Sequence, residues 1–108
     1  MILYNVTINI EDSVHNEWLE WMRNKHVPDV MATGMFLKSK ICKVLNVEED
    51  GTTYSFQYFC RSMEEYEKYK SEFAPALQEE VNLRYKGKFV AFRTLLEVID
   101  ENWATAEN

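Results

Sequence analysis

The chain has 108 residues, enough for one domain that buries about two-thirds of the surface its unfolded form exposes. Hydrophobic residues make up 46% and charged residues 28%, a balance that excludes disorder. The net charge is −6 with lysine and arginine scattered, so no basic face exists to neutralise phosphates; a nucleic-acid role is excluded and an anionic membrane surface disfavoured.

The opening MILYNVTINI alternates in polarity, unlike the unbroken apolar core of an export signal. No window approaches the roughly 20 apolar residues of a membrane span. Cys42 and Cys60 are accordingly expected to be reduced, buried small hydrophobes in a cytoplasmic protein.

In chain order, the period of two over residues 2–10 predicts a strand, with Ile2, Tyr4, Val6, Ile8 and Ile10 on one face. The stretch EDSVHNEWLEWMRNKH predicts a helix capped by Asp12 or Ser13, with Val14, Trp18, Trp21 and Met22 as its apolar stripe. Pro28 disfavours α geometry at Val27, so this helix is expected to end at His26. Residues 36–47 and 52–60 read as two strands joined at Asp50-Gly51, a register that sets Leu45 opposite Phe56, Lys43 opposite Tyr58 and Ile41 opposite Cys60. Ser62 to Glu65 is a capping box opening a helix with Tyr66 and Tyr69 on its stripe. Pro75 interrupts that helix or begins another, which runs through Leu77, Val81 and Tyr85 until Gly87 ends it. Residues 88–99 form the last strand. The domain spans 1–100, and the polar tail 101–108 is expected to fray.

This order is β-α-β-β-α-β, the α+β ferredoxin-like plan: an antiparallel sheet with helices on one face. The helix-facing side is expected to include Val90, Phe92, Leu96 and Val98 of the last strand. That leaves Leu3, Phe36, Cys42, Val44, Phe59, Phe89, Ala91 and Leu95 on an uncovered face. So large an apolar patch predicts a homodimer through the open sheet face. Polar residues on the same face, Asn5, Thr7, Ser55, Gln57, Arg93 and Glu97, either bond one another, Arg93 to Glu97 most simply, or line a pocket.

The stretch HVPDVMATGMF resembles a loose pattern of the dimeric α/β-barrel superfamily: a histidine, a nearby proline and a Gly-aromatic entry into the second strand. That superfamily includes cofactor-independent monooxygenases of antibiotic biosynthesis, muconolactone isomerases and polyketide cyclases. The whole chain more closely resembles a family of bacterial proteins of about this length without assigned activity, through MILYNVTINI, HVPDV, TGMF, FAPALQ and GKFVAFRTLLEVI. The resemblance implies a dimeric α/β barrel.

Two roles are open for His26. Its imidazole can sit at the surface against the negative end of the helix dipole, or point into a helix–sheet cleft where Tyr54 or Tyr58 also projects and proton transfer becomes feasible. A metal site through His15 and His26 is excluded, since eleven residues of helix separate them by about 16 Å. No motif calls for a cofactor. The expected function is a small-molecule-binding or protein-interaction module, the ligand being a small apolar molecule held near Tyr54, Tyr58, Gln57, Arg93 and Asn5. The alternative is a cofactor-independent monooxygenase-, isomerase- or cyclase-like enzyme acting on an aromatic or polyketide-like molecule. There His26 is acid or base, and Arg93 or Gln57 orients a carbonyl or carboxylate.

Overall fold

A computed structural model describes residues 1–105 of the chain. Four antiparallel strands, β1 (Ile2–Ile10), β2 (Lys38–Lys43), β3 (Thr52–Cys60) and β4 (Phe89–Glu97), lie in the order β2-β3-β1-β4. The helices are α1 (His15–Trp21), α2 (Val27–Ala32), α3 (Met63–Glu72) and α4 (Ala74–Tyr85). This is the ferredoxin-like arrangement, with the helices on one face. The even positions of β1 are all buried there, together with Phe56, Tyr58, Trp18, Met22, Val30, Tyr69 and Val81. Of the tail expected to fray, residues 106–108 lie outside the described residues.

The first helical region does not stop at His26. A 3-10 turn over Asp12–Val14 leads into α1, a π turn over Met22–His26 follows, and α2 continues with Pro28 in its first turn. The chain needs the π turn because its buried residues are spaced four, five and three apart: Trp18, Met22, Val27, Val30. Five residues of regular α-helix would rotate Val27 about 140° away from Met22. One wider turn brings both to the core and relieves the clash of the Pro28 ring with the carbonyl four residues back. The expected Asp12 or Ser13 cap does not form. Ser13 Oγ instead donates to Glu11, and Asp12 accepts from the Thr52 hydroxyl.

Two strand assignments need correction. β2 ends at Lys43, and its register on β3 is displaced by four residues, so that Ile41 faces Phe56 and Lys43 faces Tyr54. Asp50-Gly51 is therefore not a two-residue turn but the end of a longer loop from Val44. Gly51 is required there because its φ is +81° and an added Cβ would lie 2.6 Å from the Ile10 carbonyl oxygen. A shift of four keeps the parity, so the faces of β2 and β3 stand as expected.

β4 does not keep its expected parity. Val6 faces Arg93 and Ile8 faces Ala91, so Phe89, Ala91, Arg93 and Leu95 lie on the helix side. Val90, Phe92 and Leu96 lie on the open face, not against the helices. Both parities of this strand are largely apolar, so alternation could not discriminate between them. Phe36, also assigned to the open face, is buried in the core between Tyr4, Tyr58 and Tyr69. Cys60 is buried while Cys42, expected buried, is exposed on the open face; both are free thiols.

Candidate functional site

Between the first helical region and the sheet lies a cavity of about 30 Å³. Its apolar lining comes from Val6, Ile8, Met22 and Phe56, and its polar lining from Tyr4, His26, Tyr58, Tyr69, Gln78 and Arg93. The π turn explains how His26 reaches it. Met22 and His26 are four apart and share a face, and the extra residue lets Val27 fill the core beside them.

The imidazole stacks on Trp21, ring centroids 6.0 Å apart, and its Nδ1 is buried without a hydrogen-bond partner. Burial is the main cause that lowers its pKa to about 4; Glu80 and Asp29 oppose that shift, while Lys25 and Arg93 reinforce it. His26 is therefore neutral near pH 7. An unpartnered polar atom in such a place forfeits about 1–3 kcal/mol of solvation. The phenols around it are held protonated: burial first, then neighbouring tyrosines, raise Tyr58 and Tyr69 well above the ordinary range.

Arg93 marks the solvent side of the cavity. It is an exposed residue whose Nε donates to the Tyr4 hydroxyl at 3.2 Å. Among the described residues it forms no ion pair, so the expected bond to Glu97 is absent. The β4 parity turns Arg93 toward the tyrosines, where its Nε bonds Tyr4.

Of the sequence-predicted site residues, His26, Tyr58 and Arg93 come together here. Tyr54 does not join them; its hydroxyl bonds His15 Nε2 at 2.7 Å, while His15 Nδ1 contacts Asn16. Asn5 and Gln57 lie on the opposite, open face, linked through Ser55: Ser55 Oγ donates to Asn5 Oδ1 at 2.5 Å and Gln57 Nε2 donates to Ser55 Oγ at 3.1 Å. These three side chains therefore bond one another on that face. Sequence reasoning missed Tyr4, Tyr69 and Gln78. The tyrosines were legible only as core positions, and Gln78 only as a polar residue on a helix.

A model of the domain of unknown function DUF4286 matches residues 1–99. The chain belongs to this family. No curated protein matches it. Among solved structures, the chain is similar to a dimeric ferredoxin-like protein from an uncultured marine organism, at 17% identity and a TM-score of 0.68, covering 96% of this chain and 100% of that one. It is also similar to a variant of MhuD with two manganese protoporphyrin IX molecules bound per active site, at 16% identity and a TM-score of 0.66, with 96% and 100% covered. A third similar structure is an antibiotic biosynthesis monooxygenase, at 12% identity and a TM-score of 0.61, with 93% and 100% covered. At these identities the likeness shows the shared fold.

Proposed function

We propose that this protein is a cytoplasmic homodimer that binds a small molecule in the cleft beside His26. The observation that carries the reading is that His26, whose Nδ1 is buried without a partner, lines a mainly aromatic and aliphatic cavity that also holds Gln78 and Arg93. A ligand supplies that nitrogen with the partner the chain lacks. Binding is favoured over proton transfer by magnitude: a base whose conjugate acid has a pKa of about 4 is poorly matched to neutral pH. The two free thiols are in keeping with a reducing compartment. A ligand-observed NMR screen against the wild type and His26→Phe tests the binding reading. Hits lost in the variant support it, and hits of unchanged affinity contradict it.

The second copy is proposed to lie against the open sheet face. Val90 and Phe92 are 58% and 66% exposed there, beside half-buried Leu3 and Phe59. The polar centre of the face already satisfies itself through Asn5, Ser55 and Gln57, which lowers the penalty of covering it. The dimeric neighbour of the same fold is in keeping with this arrangement. Sedimentation should give twice the chain mass for the wild type and a shift toward the chain mass for Phe92→Asp. A monomeric wild type at micromolar concentration would refute it.

A further inference from the structure

We infer that the ligand of this cavity is a monocarboxylate, its carboxylate shared between Arg93 and His26; this rests on the binding reading above. Three observations narrow the class. Among the described residues, Arg93 is the one charged residue that lines the cavity, and it has no acidic partner. Its Nε is committed to Tyr4, which orients the planar guanidinium and leaves its terminal nitrogens to receive two oxygens side by side. Among the described residues, no aspartate or glutamate lines the cavity to repel an anion, and the polar groups that do, Tyr58, Tyr69 and Gln78, all carry hydrogen-bond donors.

One water requires about 10–15 Å³ by the same measure, so the 30 Å³ present is room for the two oxygens of one carboxylate group, with the rest of the ligand reaching past Arg93 toward solvent. Val6, Ile8, Met22 and Phe56 offer an apolar lining for the adjoining carbon. His26 completes the site: the neutral tautomer with its proton on Nδ1 donates to the second carboxylate oxygen, which gives that nitrogen its partner.

The charge balance around His26 adds a linked consequence. Glu80 from α4 and Asp29 on its own helix already favour its protonated form, whereas Lys25 on that helix and Arg93 from β4 oppose it. A bound carboxylate neutralises the effect of Arg93 and adds a negative charge, so occupancy raises the His26 pKa.

Propionate and the neutral, nearly isosteric propionamide test this by NMR titration, read at the His26 imidazole and the Arg93 side chain. Propionate is expected to saturate both signals and raise the His26 midpoint. Propionamide should bind at least about ten-fold more weakly, and Arg93→Gln, judged folded by its amide spectrum, should weaken propionate by a similar factor. Equal binding of the two probes, or propionate binding indifferent to Arg93→Gln, overturns the carboxylate assignment while leaving a ligand-binding cleft. Absence of any response at His26 to either probe overturns both.

Discussion

The amide of Val27 donates to the carbonyl of Met22, five residues back, and the next residue is Pro28, which has no amide to donate. This pairing holds two consecutive side chains, His26 and Val27, over the single turn below. Deleting Asn24, an exposed residue of the π turn, should restore the spacing of an α-helix. With Val27 kept in the core, His26 then lies a full α-helical step of about 100° from it. Pro28 falls inside a continuous helix, at a cost of about 3 kcal/mol. Adding Pro28→Ala should recover most of that loss in chemical denaturation. The His26 pKa should rise toward 6.5 in both variants.

The same histidine makes stability depend on pH. Its folded pKa of about 4 lies below the unfolded value of 6.5, so the unfolded state binds the extra proton between them. The contribution of neutral, half-buried His26 is fully present above about pH 6.5. It is lost as pH falls through that window to about 4, by on the order of 3 kcal/mol. Carboxylates titrate nearby, so the contrast is with His26→Gln, which cannot charge. Urea melts at pH 7 and pH 4.5 should show the wild type losing more stability than the variant. Equal losses would mean that the ring is solvated.

Gly51 and Gly34 separate backbone strain from close approach. Both have positive φ, but a Cβ at Gly34 meets nothing within 4 Å, whereas one at Gly51 meets the Ile10 carbonyl oxygen at 2.6 Å. Gly34→Ala should cost about 1–2 kcal/mol, the penalty of a left-handed conformation alone. Gly51→Ala should cost at least about 1 kcal/mol more, because the β1 backbone must give way. Thermal melts of the two variants side by side check the order.

The helix–sheet plan was legible because β1 and β3 alternate cleanly and the capping box at Ser62 declares its helix; Ser62 Oγ accepts from the Glu65 amide. Pro75 opens α4 as its missing amide allows. What could not be read has equally physical causes. In β4, FVAFRTLLE offers apolar side chains on both parities, so only the pairing with β1 decides that Arg93 faces Tyr4. At Met22 and Val27 a five-residue gap followed by proline carries two meanings, a helix stop or a π turn, and tertiary packing selects the second. The His26–Tyr58–Arg93 cluster inherits both ambiguities. His26 and Tyr58 were legible as partners in a cleft, whereas Arg93 was placed on the open face with Asn5 and Gln57, where only the latter two lie.

The central claim is that the His26 ring is half-buried on the cavity, with its Nδ1 buried and without a partner. A pH titration of its imidazole carbon-bound protons by NMR, assigned by comparison with His26→Gln, tests it without knowledge of any ligand. The account predicts a midpoint near 4 in the ligand-free protein. A midpoint near 6.5, the value of a solvated histidine, would contradict it.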